Sequence, residues 1–264
     1  MLLKNNLKTL IFSFLNIIAR PLPKNRAAVL LYHAVDENEV YLSVPPEILR
    51  KQMRHLVSNK YNVMSLVDLI AILEKKQDMP EKTVVLTFDD GFQSHYKYVA
   101  GILKEFNFPA TFYICTGLVG AEMDNSQNLP LPTANWEEIK EMDKSPLIDI
   151  EPHGVNHLEL DKLNDEQINE EVSKSKVILE RELDKKCDFF APPRGAYNDK
   201  VIKIIKSYGF KSSMTIQEGL VSAGDDPYKL KRNTINFSCN NDTQFAARLG
   251  WAIVIFNYFF KKWK

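Results

Sequence analysis

TVVLTFDDG, residues 83–91, is six apolar or β-branched residues that run straight into two carboxylates and a glycine. Such a run, too short for a helix and rich in Val and Thr, reads as a buried strand with polar groups at its carboxyl end. Neighbouring strand residues point to opposite faces, so Asp89 and Asp90 could share one site only if the chain turns sharply, which Gly91 permits. Further runs of this kind are AAVLLYH (27–33), ATFYI (110–114), PLIDI (146–150) and DFFAP (188–192), with KSSMTI (211–216) a weaker sixth. Between them, 46–59, 65–76, 94–106, 136–142, 165–183 and 199–208 carry apolar residues at three- and four-residue spacing and are expected to be helices. Ser65 with Asp68, and Asn164 with Gln167, have the spacing of helix-start caps. Strand alternating with helix predicts an α/β fold, a parallel sheet covered by helices and either open or closed into a barrel. No linker or repeat divides residues 27–240, and the polar stretch 117–133 reads as a long loop near a site.

Composition narrows the function. The 264 residues carry 34 Lys and Arg against 34 Asp and Glu, and 45% are hydrophobic, which excludes a disordered or fibrous chain. Neutrality argues against a protein that grips a nucleic-acid backbone. Cys115, Cys187 and Cys239 have no zinc-finger spacing and read as free, buried thiols, which favours a reducing compartment.

Functional groups in such folds gather at the carboxyl ends of strands, and three clusters besides Asp89-Asp90 stand there. His153 and His157 follow the strand expected at 146–150; two imidazoles and one carboxylate make a metal site with a position left open for water. The alternative is an exposed loop with two unrelated histidines. The stiff turn from Phe189 to Tyr197 could hold a backbone N–H toward a reacting oxygen, or be a plain strand-to-helix turn. Tyr32-His33 ends the first strand.

In this order and at these separations, the clusters resemble the polysaccharide deacetylase family with the NodB-homology domain (carbohydrate esterase family 4). Pro109-Ala110-Thr111-Phe112, Trp136 opening a helix, and the long helix before the Pro turn match as well, so the likeness spans roughly 27–237. It implies a distorted (β/α) barrel that hydrolyses N-acetyl, sometimes N-formyl, groups on amino sugars. Asp90, His153 and His157 would bind a divalent metal, usually zinc, and Asp89 would be the catalytic base. Arg194 and Pro193, with Tyr32 and Arg232, would border the oxyanion and the substrate.

Two departures stand out. Ala191 occupies the place of the family's orienting arginine, for which the candidates are Arg194, Arg232 or no residue at all, and no His follows His157 to protonate the departing amine. In the branch with an early Tyr-His pair that histidine takes the role, which nominates His33. His55 and His95 match no motif and read as helix-surface residues. The resemblance implies an N-deacetylase of a surface polysaccharide, glycolipid or lipid-linked glycan; alternatives are a deformylase of a lipid-linked aminosugar and a catalytically decayed sugar-binding module.

The ends read differently. Residues 1–26 hold five basic and no acidic residues, 244–264 four and none, which leaves 25 basic against 34 acidic in 27–243. Both ends are apolar, LKTLIFSFLNIIA (7–19) and the run to Phe260, yet a span needs about 20 apolar residues. They are expected either to dock as helices, 1–26 and 241–264 flanking the domain, or to contact an anionic membrane peripherally, the cytoplasmic face being favoured. No nucleic-acid partner is expected.

Overall fold

Residues that are apolar on both faces of a strand need cover on both sides, and the four longest strands obtain it. The structure is a computed structural model describing residues 2–18, 24–38, 40–123 and 129–260, with side chains from residue 6 onward. Its elements in chain order are α1 (Leu2–Ile18), β1 (Arg26–Tyr32), α2 (Pro46–Ser58), β2 (Asn62–Val63), α3 (Leu66–Glu74), β3 (Thr83–Phe88), a π-helical turn (His95–Val99) leading into α4 (Ala100–Phe106), and β4 (Ala110–Ile114). There follow β5 (Glu122–Met123), β6 (Leu131–Pro132), α5 (Trp136–Asp143), β7 (Ile148–Pro152), α6 (Asp165–Leu183), β8 (Phe189–Phe190), α7 (Asp199–Ser207), β9 (Ser212–Ser213), β10 (Val221–Ser222), β11 (Asn233–Thr234), α8 (Asp242–Arg248) and α9 (Trp251–Phe260).

β1, β3, β4 and β7 pair in parallel in that order, and the register aligns Tyr32, Phe88, Phe112 and Ile150 across the sheet. Alternate residues divide between two cores. Leu30, Leu86, Phe112 and Ile150 pack outward under the helices, whereas Val29, Val85, Tyr113, Ala191, Met214 and Leu230 pack on the inner side. β11 pairs with β1 in parallel, and the short β8 and β9 pair with each other. Single contacts join these pieces: Ala191 N–H donates to Pro152 O at 3.4 Å, and Met214 bridges Leu230. The fold is therefore the expected α/β sheet curling toward a barrel, with no continuous ladder closing it.

The sequence places β3, β4 and α6 at their observed bounds. Ser65 and Asn164 cap their helices, Asn164 in a reciprocal capping box with Gln167. Four expectations need correction. The strand at 146–150 starts two residues later, because the exit from α5 turns through Ser145, whose carbonyl accepts Ile148 N–H at 3.1 Å; β7 therefore runs directly to His153. The helix at 94–106 opens with the π turn. The loop 117–133 contains the β5–β6 hairpin, with residues 124–128 outside the described part. The C-terminal apolar run is two helices, broken after Arg248.

α1 docks one face on α8 and α9. Phe12 is fully buried with its ring 4.7 Å from that of Phe256, and Asn16 donates to Thr243 O. Its other face, Leu7, Leu10, Phe14, Ile17 and Ile18, is exposed. Among the described residues no helix is long and apolar enough to cross a membrane.

Candidate active site

β3 delivers Asp89 still in register, its N–H donating to Tyr32 O at 2.9 Å. The chain then turns through two left-handed residues, Asp90 at φ 78° and Gly91 at φ 68°. The turn is thus made by the aspartate as well as the glycine. A left-handed non-glycine residue costs roughly 1–2 kcal/mol, a strain found where a side chain must be aimed. A Cβ on Gly91 would lie 2.9 Å from Ile114 Cδ1, so the position is closed to larger residues.

His153 stands at the end of β7, its N–H on Ile114 O at 2.8 Å. Its Nδ1 lies 2.6 Å from Ala191 O. A carbonyl can only accept, so Nδ1 carries the hydrogen and Nε2 keeps its lone pair. The loop to His157 is tied down by Glu171 of α6, whose buried carboxylate accepts Val155 N–H, Asn156 N–H and Asn156 Nδ2–H at 2.8, 3.0 and 2.7 Å. Gly154, at φ 77°, leaves room for it, since a Cβ there would come within 3.0 Å of that carboxylate.

The result is a convergence. Asp90 Oδ1 lies 3.4 Å from His153 Nε2 and 3.3 Å from His157 Nε2, and one donor atom from each residue falls within a 4.8 Å cluster. Asp90 Oδ1 is buried and makes no hydrogen bond among the described residues. Three electron-rich atoms brought together without bonding one another are what a divalent cation neutralises, so the donor set fits a metal of the zinc type. Burial alone would raise the Asp90 pKa, but His153 and His157 outweigh it and hold the carboxyl well below its ordinary value.

Asp89 is held differently. Arg232, fully buried, clamps both of its oxygens at 2.6 and 2.7 Å, while Nε of the same guanidinium donates to Thr215 O at 3.0 Å and Nη1 reaches Thr87 Oγ1 at 3.3 Å. Burial pushes the Asp89 pKa up, and Arg232 more than offsets it, leaving the carboxylate ionised. Arg232, named from the sequence both as bordering the substrate and as a substitute for the orienting arginine, sits behind Asp89 as the second of those readings expects. Ala191 itself is buried and supplies the carbonyl that orients His153.

A cavity of about 640 Å³ opens over these groups, and His33 and Arg194 line it together with Asp89, Asp90, His153 and His157. His33 Nδ1 has no hydrogen bond among the described residues, and burial lowers the His33 pKa against the pull of Asp90 and Asp89. Arg194, at φ 56° on the exposed tip of its turn, reaches the rim, while Pro193 is buried against Gly154 and stiffens that turn from beneath. Tyr32 does not face the cavity. Its ring stacks on Phe88 and its hydroxyl donates to Gln52 Oε1 at 2.9 Å, inside the outer core.

Neither of the other histidines is a surface residue. His95 is fully buried among Phe88, Phe92 and Phe112, donates from Nε2 to His33 O at 2.9 Å, and has its pKa lowered to about 4 by burial. His55 is half-buried, edge-on to Phe245. Sequence reasoning also passed over Glu171, although it shares the buried stripe of α6 with Ile168, Val172, Ser175 and Leu179, a readable signal. It passed over the far wall of the cavity as well, where buried Arg248 lies 3.8 Å from Glu218 and Asn257 donates to Glu218 at 2.9 Å.

A parallel α/β sheet with an Asp-His-His donor set and a clamped second aspartate at its strand ends has the makings of a hydrolase that activates a water. The chain belongs to the polysaccharide deacetylase family, whose model matches residues 76–213. It is 28% identical to a poly-β-1,6-N-acetyl-D-glucosamine N-deacetylase of Staphylococcus aureus, covering 81% of this chain and 80% of that one. The Streptococcus pyogenes deacetylase PplD, solved with acetate, superposes with a TM-score of 0.71 at 26% identity over 82% of this chain and 94% of its own. IcaB from Ammonifex degensii, at 23% identity and a TM-score of 0.76 over 87% and 99%, shares the fold.

Proposed function

We propose that this protein is a divalent-metal-dependent hydrolase, zinc being the metal its donor set suits, that removes N-acetyl groups from amino sugars of a surface polysaccharide or lipid-linked glycan. The observation that carries the reading is the buried, unbonded Asp90 Oδ1 between two imidazole nitrogens, next to a second aspartate locked by Arg232. The bound metal would supply Lewis acidity, lowering the pKa of a water and polarising the acyl carbonyl. Asp90, His153 and His157 hold it. Asp89, fixed in direction by Arg232, takes the proton of the attacking water. The turn at Arg194 borders the acyl oxygen and offers the Arg194 backbone N–H to the charge that develops there, the N–H groups of Gly195 and Ala196 being used within the turn. His33 relays a proton to the amine nitrogen as the C–N bond breaks. The proton gained by Asp89 and the one lost by His33 balance, and transfer through water restores both.

Ala191 and the missing late histidine are the departures that motivate a catalytically idle module; Arg232, just before β11, answers the first by supplying the guanidinium to Asp89, and His33 is proposed to answer the second. The test is a panel of N-acetyl and N-formyl sugar oligomers, nucleotide sugars and lipid-linked sugars given to zinc-loaded protein, with products read by mass spectrometry. Loss of acetyl with appearance of free amine is expected. Loss of formyl alone would move the activity to a deformylase, and metal binding with no turnover on any substrate would contradict it.

A further inference from the structure

The catalytic cavity does not end at the strand tips. Its far wall is formed by Lys8 of α1 and by Ile253, Phe256 and Asn257 of α9, so the inner face of the terminal helix pair borders the space above Asp90. The outer face of the same pair is apolar and open to solvent. Leu10, Phe14 and Ile17 are 67%, 64% and 81% exposed on one stripe of α1, and Tyr258 and Phe259 of α9 are 78% and 69% exposed. A soluble helix normally presents one apolar face; α1 presents two, Ile11, Phe12 and Leu15 inward and this stripe outward.

Charge says what covers it. Lys4, Arg20, Lys261, Lys262 and Lys264 bracket the two helices in sequence, and no Asp or Glu occurs before Asp36 or after Asp242, although the rest of the chain is acidic. Apolar, aromatic helices whose charged neighbours in sequence are all cations match the headgroup region of an anionic bilayer. A second copy of the chain is a poor match, because a two-fold contact would set the same cations against one another. α1 also falls short of a span among the described residues.

We infer that the outer face of α1 and α9 seats in the surface of an anionic lipid bilayer, which places the catalytic cavity beside that surface and suits it to an amphiphilic, lipid-anchored glycan. The membrane contact stands independently of the hydrolytic reading, and the statement about substrate rests on it. The full chain is sedimented with vesicles of phosphatidylcholine alone and with phosphatidylglycerol added, beside the variant Leu10→Ser/Phe14→Ser/Ile17→Ser, whose altered residues touch neither the cavity nor the core. Wild type is expected to partition onto the anionic vesicles and the variant to do so about tenfold less or worse, with both hydrolysing a soluble N-acetylglucosamine oligomer equally. Loss of oligomer hydrolysis in both proteins would count against the proposed activity and leave the vesicle result standing. Equal partition of the two proteins, no preference for anionic vesicles, or a soluble dimer that the triple substitution breaks would overturn the inference.

Discussion

The strand-end site and the terminal helix pair invert the usual division of a protein into apolar inside and polar outside, in opposite directions. At the site, Asp89, Arg232, His153 and Glu171 are buried, and each has a partner that makes burial tolerable: the bidentate clamp, the Ala191 carbonyl, the N–H groups of the 155–156 loop. On α1 and α9, large apolar side chains face outward into solvent. A buried charge pair adds little net stability compared with an apolar core. An exposed Ile adds none. In the proposed reading both regions are arranged for what they meet, a cation and substrate in one case and a lipid surface in the other.

If that contrast holds, substitutions in the two regions must fail in different ways. The largest effect is expected from His153→Ala, which removes a metal ligand: stoichiometric zinc is lost and turnover falls at least about a thousandfold, corresponding to several kcal/mol of transition-state stabilisation. Metal analysis beside an acetate-release assay checks it. Arg232→Ala comes next. It strands the Asp89 carboxylate without its counter-ion, so unfolding by urea should show a loss of about 3–5 kcal/mol together with low activity, and Arg232→Lys should recover charge but not the fork, restoring only part of either.

His95 gives a pH-dependent contrast. Its imidazole is neutral in the folded chain, with a pKa of about 4 against 6.5 when unfolded. Between those values the unfolded chain binds a proton that the folded chain refuses, so its contribution is intact above about pH 6.5 and is lost progressively as pH falls toward 4, at up to about 1.4 kcal/mol per unit. Denaturation at pH 7 and pH 5 should show this slope in wild type and a flatter one in His95→Gln, which keeps a donor for His33 O. Glu171→Gln should leave the fold standing while loosening the loop between His153 and His157, weakening metal affinity by about ten- to a hundredfold on titration. The smallest effect on stability belongs to the helix pair: Phe14→Ser or Ile17→Ser should change unfolding free energy by no more than about 0.5 kcal/mol.

What could be read from the sequence follows from the range of the forces involved. β3, β4 and α6 carry their pattern within themselves, in continuous apolar runs or a full helical stripe, and their bounds were legible. β8 and β9 fall inside the expected runs 188–192 and 211–216 but keep only two paired residues each, whereas β10 and β11, also two residues each, exist through backbone bonds to the distant β1, so no local periodicity announces them. The same holds inside the site. Asp89, Asp90, His153 and His157 stand at strand ends within short motifs, but the arginine behind Asp89 comes from 143 residues away; the sequence offers Arg232 only as one of two candidates, and its two-pronged contact with Asp89 selects it. His95 was misread as surface because the π turn at His95–Val99 adds a residue to the helical repeat and rotates the face that a 3.6-residue period would assign. The overall neutrality concealed the sharpest feature of all, an acidic body between two basic, apolar ends.

The central claim is that Asp89, aimed by Arg232 beside the Asp90-His153-His157 ligands, performs metal-dependent removal of acetyl groups. Its most direct test is acetate release from N-acetylglucosamine oligomers by zinc-loaded wild type and by Asp89→Asn, both confirmed to hold one zinc per chain. Rapid release by wild type, abolished by chelation, restored by zinc and reduced at least about a hundredfold in Asp89→Asn, is the expected result. Release that is undiminished in Asp89→Asn, or indifferent to chelation, would contradict the account.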